Sequence, residues 1–124
     1  MHKLEGYFDV SYDRAKKLIR ITTYGFWNLE VVDHFGRAIA DIARVAEQGS
    51  STLLNTCRTE IHTPEVSEAL GRISLLNQDA KTGRIAIVSP SVLLRMQTKR
   101  LQKAEADYGY FETEEAALDW LAVA

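Results

Sequence analysis

The chain has 124 residues, of which 46% are hydrophobic and 26% are charged, and its formal net charge is −2. This composition excludes a disordered chain, and the length fits one domain, residues 1–124, with its own core. The balance of 15 basic and 17 acidic residues gives no overall attraction to nucleic acid, so we expect no nucleic-acid partner.

The first predicted elements are two strands. Residues 7–12 place Phe8, Val10 and Tyr12 on one face, at the period of two that is typical of a strand. A polar turn follows, and residues 17–24 alternate β-branched side chains in the same way. The two segments therefore predict an antiparallel hairpin.

The next elements are a helix and a short strand. Asn28 is predicted to cap the helix and Gly49 to close it, because these residue types are preferred at the two ends. Apolar residues recur between them at the spacing of one helical face. Residues 52–56 (TLLNT) then predict a buried strand.

The second half of the chain alternates helices and strands. Thr63 and Ser89, each followed by a proline, predict the starts of the second and third helices. Residues 84–88 (RIAIV) predict a buried strand between them. Residues 108–112 predict a short edge strand, and Thr113 is placed to cap the last helix.

This order of elements indicates the fold class. Strands that are separated by helices need crossover connections, which produce parallel pairing with helices packed on the sheet. We therefore predict an α/β fold with a mixed sheet of about five strands and four helices. The first hairpin is antiparallel in this prediction, and the remaining strands are mainly parallel.

Two parts of the chain resemble a known family. The closing segment YGYFETEEAALDWL, residues 108–121, resembles the end of bacterial SpoIIAA-like proteins. The hairpin, amphipathic helix and apolar strand of the front half are similar to the same family. It belongs to the STAS domains, which share a fold with Sec14-type lipid carriers. The resemblance implies this fold and a cytoplasmic regulatory module that binds without a cofactor and does not catalyse a reaction.

The turn after the central strand departs from the family pattern. Regulatory STAS domains carry an Asp-Ser-Ser-Gly-like motif there, and a partner kinase phosphorylates its serine. The matching residues 55–59 read Asn-Thr-Cys-Arg-Thr, with no serine and no glycine. The resemblance therefore does not extend to the phosphorylation switch.

Polar residues gather where the parallel strands are predicted to end. Ligands of open α/β sheets approach the carboxyl ends of the strands, where helices begin. The candidate ligand- or partner-binding residues at this end are Arg58, Thr59, His62, Thr63, Ser89 and Ser91. Helix capping by Thr63 and Ser89, with a solvated Arg58 and His62, is the alternative.

A basic stripe is predicted on the third helix. Arg95, Lys99 and Lys103 recur at intervals of four residues and so share one helical face. A protein with an acidic surface, anionic lipid headgroups, or the acids Glu114 and Glu115 of the last helix could face this stripe. A plain solvated face is the alternative.

Catalytic and metal motifs are weak. The spacing of Cys57 and His62 does not require them to form a nucleophile–base pair, and no third residue stands out that would orient the base. Three histidines lie in separate predicted elements and predict no metal site. Without an apolar leader or a run of about 20 apolar residues, we expect a cytoplasmic protein with no transmembrane segment.

The sequence leaves two functions open. The first is a non-catalytic regulatory module of SpoIIAA-like type that docks another protein. The second is a small carrier or sensor of an apolar or anionic ligand, as Sec14-like kinship implies, with Leu93, Met96 and Trp120 near a cavity. An exposed Leu75 or Trp120 would suit self-association, so a homo-oligomer stays open.

Overall fold

The computed structural model describes residues 5–77, 83–89 and 108–122. In chain order the elements are β1 (Tyr7–Asp13), β2 (Leu18–Gly25), α1 (Leu29–Val45), β3 (Ser51–Thr59), α2 (Pro64–Asn77), β4 (Ile85–Val88), β5 (Tyr108–Phe111) and α3 (Glu114–Ala122). The described ranges contain three helices, and the helix predicted to start after Ser89 lies outside them. None of the helices in these ranges has the length and apolarity that crossing a bilayer requires.

The five strands form one sheet in the order β1-β2-β3-β4-β5. β1 pairs with β2 in antiparallel orientation, and β2 to β5 are parallel to their neighbours. In the turn between β1 and β2, the Lys16 amide donates a hydrogen bond to the Asp13 carboxylate at 3.1 Å. This arrangement confirms the predicted mixed sheet, in which the crossovers through α1 and α2 impose the parallel pairing of β2, β3 and β4.

One face of the sheet packs against α1 and α2. The Asn28 side chain accepts a hydrogen bond from the Val31 amide at 2.9 Å and so caps α1, as predicted. The buried residues of this layer are Ile19, Ile21, Trp27, Val32, Phe35, Ala46 and Val66. Each large apolar side chain among them contributes about 1.5–3 kcal/mol through its removal from water.

The other face of the sheet packs against α3. Because successive strand residues point to opposite faces, Leu18 lies against this helix while its neighbour Ile19 lies against α1 and α2. Leu53, Ala86, Val88 and Ala117 complete the buried residues of this second layer. Thr113 caps α3 as predicted, since its hydroxyl accepts a hydrogen bond from the Ala116 amide at 3.2 Å.

The predicted end of the first helix is wrong. α1 ends at Val45, and Ala46 leaves the helix in an extended conformation because its side chain is buried, with 4% exposure, in the first layer. Gly49 lies three residues further along, with a φ of 85°. It serves the turn that enters β3, a conformation that glycine adopts without steric cost.

The predicted end of the central strand is also wrong. β3 continues past Thr56 to Thr59 because its polar residues pair with β2. After a register shift, Arg58 lies opposite Tyr24 and Thr59 lies opposite Gly25. The loop at this end of the sheet therefore begins at Glu60, and Arg58 lies on a strand.

Candidate docking surface at the carboxyl end of the sheet

The carboxyl ends of β2, β3 and β4 lie together, because these strands are parallel neighbours. The segment from Cys57 to Ile61 comprises the last three residues of β3 and the first two residues of the loop after it, and is here called the docking loop. α2 begins directly after it, and the Thr63 hydroxyl accepts a hydrogen bond from the Val66 amide at 3.3 Å. Thr63 is therefore a helix cap, which is the alternative that the sequence left open.

Hydrogen bonds fix the backbone of the docking loop. The Cys57 amide donates to the Asn55 side chain at 3.0 Å, and the Glu60 amide donates to the Gly25 carbonyl at 3.0 Å. The hydroxyl of Thr59 bonds to the hydroxyl of Thr23 on β2. A segment held in this way binds a partner with little loss of conformational entropy.

The fixed loop presents chemically different side chains to solvent. Cys57, Arg58 and Glu60 are exposed, and Ile61 is one of the exposed large apolar residues, at 43%. Arg58 forms no ion pair with any residue in the described ranges. A cation beside an apolar side chain is a combination that protein partners use for docking.

The Cys57 thiol is a poor nucleophile in this setting. Burial raises its pKa above the usual 9.0, and the nearby Arg58 offsets only part of the effect. The thiol is therefore protonated at neutral pH, whereas nucleophilic cysteines need the thiolate. The Cys57 sulfur lies 4.0 Å from the Val88 carbonyl oxygen, a contact typical of a small structural side chain.

His62 supplies no positive charge to this surface at neutral pH. Its ring packs edge-on against the Trp27 ring, with centroids 5.9 Å apart. This burial lowers the pKa of His62 below the usual 6.5. The predicted anion-binding pair of Arg58 and His62 thus contains one cation, Arg58.

The remaining predicted site residues are divided between the core and undescribed parts of the chain. Ser89 directly follows β4 at the same end of the sheet, but it is fully buried, and its amide donates to the Phe111 carbonyl at 3.0 Å. Ser91, Arg95, Lys99 and Lys103 lie outside the described residues.

A polar network behind the docking loop was missed by the sequence analysis. Glu114, in the first turn of α3, accepts hydrogen bonds from the Arg20 guanidinium and from the Asn55 amide, the latter at 2.8 Å. Asn55 in turn accepts the Cys57 amide. The available signal was Arg20, the only charged residue of β2, because a charged side chain requires a partner when it is partly buried.

Two solved structures share this architecture. An uncharacterised protein of the DUF3478 family with a SpoIIAA-like fold, from Shewanella loihica PV-4, is 14% identical over 98% of this chain and 99% of its own, with a TM-score of 0.72. An anti-sigma factor antagonist from Mycobacterium paratuberculosis is 10% identical over 92% of this chain and 93% of its own, with a TM-score of 0.61. No protein-family model and no curated protein matches the chain. The likeness confirms the predicted SpoIIAA-like fold.

Proposed function

We propose that this protein is a non-catalytic regulatory module that docks another protein through the docking loop. The observation that carries the proposal is a loop held by two hydrogen bonds of its backbone amides and one bond between side-chain hydroxyls, while Arg58 and Ile61 stay exposed. Fixed loops on a rigid sheet are where binding residues concentrate. A regulatory role is also supported by the anti-sigma factor antagonist, which has the same fold.

The partner surface that suits this loop is acidic with an apolar centre. Arg58 would pair with a carboxylate of the partner, and Ile61 would fill an apolar depression beside it. The sequence adds Arg95, Lys99 and Lys103 as a second basic contact. The protonated thiol of Cys57 and the neutral ring of His62 weigh against a catalytic role for the same surface.

The proposal is tested by affinity capture from a lysate of the source organism, with quantitative mass spectrometry. The docking variants are Arg58→Glu and Ile61→Asp, and we expect each to reduce the bound partner about tenfold or more. Arg14→Glu, in the exposed turn between β1 and β2, and Val45→Asp, at the 54% exposed end of α1, make the same chemical changes elsewhere. If all four variants capture the same proteins in equal amounts, the docking loop is not the contact surface and the proposal is wrong.

The basic stripe has a separate test. We expect the pair Arg95→Glu and Lys99→Glu to weaken the same partner at low salt, and to weaken it less at high salt, where charges are screened. If the double variant captures as much of the partner as the native protein does, the partner docks through the loop alone. The proposed second contact is then wrong.

A carrier of an apolar ligand is the second candidate. An open groove of about 450 Å³ lies between α1 and α2, and its apolar lining includes Val32, Ala40, Ala69 and Ile73. Of the three residues predicted to lie near a cavity, Leu93 and Met96 fall outside the described residues, and Trp120 packs against Phe111 in the second layer. Native mass spectrometry of the purified protein distinguishes the two functions, because a carrier retains a ligand mass that a docking module lacks.

A further inference from the structure

β1 is the end strand of the sheet, and its free side has the properties of a binding site for an extended peptide. Among the described residues nothing pairs with the side of β1 that faces away from β2. Its seven residues keep an unbroken register from Tyr7 to Asp13. An end strand presents unpaired N–H and C=O groups, and proteins usually protect it with charged side chains, proline or a bulge. β1 contains no proline and no bulge, and its only charged side chains are the carboxylates of Asp9 and Asp13.

The two faces of β1 specify different side chains for such a peptide. On the inner face Phe8, Val10 and Tyr12 are only half-buried, although they pack on the first layer. Ile19 and Ile21, on the neighbouring strand β2, are 7% exposed. Apolar side chains of an added strand would therefore complete the burial of the inner face.

The outer face of β1 carries acidic and aromatic groups. Tyr7, Asp9, Ser11 and Asp13 share this face, because they alternate with the inner residues. Tyr7 is 55% exposed and stacks on Tyr24 of β2 with ring centroids 4.3 Å apart. Asp9 is also exposed on this face. Carboxylates at both Asp9 and Asp13 favour basic side chains on the peptide.

Charge excludes a second copy of this chain as the preferred occupant. If two β1 strands pair in antiparallel orientation about Asp9, its carboxylate faces the same carboxylate of the second copy. If the pairing is centred on Ser11, Asp9 of one copy lies opposite Asp13 of the other copy. If it is centred on Val10, the acids of the two copies lie diagonally across the two strands, about 7–8 Å apart. Every register that keeps the apolar face inward thus brings like charges together, which destabilises the pair.

We propose that the free side of β1 binds an extended segment of another protein in which basic residues alternate with apolar ones. The segment adds a sixth strand to the sheet, so main-chain hydrogen bonds supply the affinity. Its basic side chains pair with Asp9 and Asp13, while its apolar side chains cover Phe8, Val10 and Tyr12. This surface is separate from the docking loop and goes beyond the proposed function.

Two blocked seven-residue peptides test the proposal by NMR titration of the β1 amides in the full-length protein. One alternates valine with lysine, and the other alternates valine with glutamate. We expect the lysine peptide to shift the β1 amides and to bind about tenfold or more tighter than the glutamate peptide at low salt. The same lysine peptide with N-methylated amides cannot donate main-chain hydrogen bonds, and we expect it not to bind.

Charge reversal supplies the second arm of the test. Asp9→Lys combined with Asp13→Lys should reverse the preference toward the glutamate peptide. Because Asp13 also accepts a bond in the hairpin turn, Ser11→Lys is the milder variant, and we expect it to weaken the lysine peptide severalfold. Arg72→Glu, at an exposed position of α2, makes the same charge change away from β1 and should leave the binding of both peptides unchanged. Equal binding of the two peptides, binding of the N-methylated peptide, or no shift of the β1 amides overturns the proposal.

Discussion

The side-chain amide of Asn55, on β3, donates a hydrogen bond of 2.8 Å to the carboxylate of Glu114, at the start of α3. The other oxygen of this carboxylate accepts the Arg20 guanidinium of β2. One acidic residue thereby joins two strands to the helix that covers them. Since Asn55 also holds the Cys57 amide, the same contact reaches the backbone of the docking loop.

Glu114→Gln removes the charge from this junction and retains its shape. Hydrogen bonds to an ionised partner are stronger than neutral ones, but Arg20 and Glu114 are 42% and 34% exposed, which limits the contribution of their bond. We therefore expect a loss of about 1 kcal/mol in the free energy of unfolding. Urea unfolding measures the change. Glu115→Gln is the matched control on the same helical turn, where the exposed side chain predicts almost no effect. Equal losses in the two variants would contradict the assigned role of Glu114.

Local signals in the sequence predicted the starts of the three described helices correctly. Asn28, Thr63 and Thr113 were each predicted to cap a helix, and each accepts the expected backbone hydrogen bond. A cap depends on residues within one helical turn, so a single sequence contains the required information. The alternating apolar residues likewise predicted the parallel sheet, because helical connections allow few other arrangements.

Features that depend on distant residues were not predicted. α1 ends at Val45 because Ala46 is buried in tertiary contact, and the glycine signal at Gly49 belongs to a later turn. Arg20 and Glu114 are separated by 94 residues in the chain. No local pattern connects such a pair, so the network behind the docking loop became visible only in the fold.

Gly83 lies against the backbone of Ser50, where a side chain has no room. A β-carbon at Gly83 would lie 2.0 Å from the Ser50 carbonyl oxygen. Ser50 cannot move readily, because it is 2% exposed and its amide donates to the Glu47 carbonyl at 3.1 Å. We expect Gly83→Ala to reduce the free energy of unfolding by about 2–3 kcal/mol.

Gly49→Ala is the control for this substitution. A β-carbon at Gly49 meets no atom within 4 Å, but its φ of 85° strains any residue other than glycine. We expect a cost of about 1 kcal/mol for that strain, again measured by urea unfolding. A larger loss for Gly49→Ala than for Gly83→Ala would show that the close approach to Ser50 is not decisive.

His62 should make the stability of the fold depend on pH. Its pKa is lowered in the folded protein, because burial disfavours the charged ring. The unfolded chain therefore takes up the proton first as the pH falls below 6.5, and the folded state loses stability between that pH and the lower pKa of the folded state. A single group can change the free energy of unfolding by at most about 1.4 kcal/mol per pH unit.

The variant His62→Phe tests this dependence, because its ring can still pack against Trp27 without titrating. We expect the free energy of unfolding of the native protein to fall from pH 7.5 to about pH 5.5, above the range in which carboxylates titrate, and to fall less in the variant. The control variant His34→Asn replaces an exposed histidine of α1 and shows how much a histidine substitution elsewhere changes the slope. If the free energy of unfolding of His62→Phe falls with pH as steeply as that of the native protein, another group is responsible for the dependence. The contact between His62 and Trp27 then does not explain it.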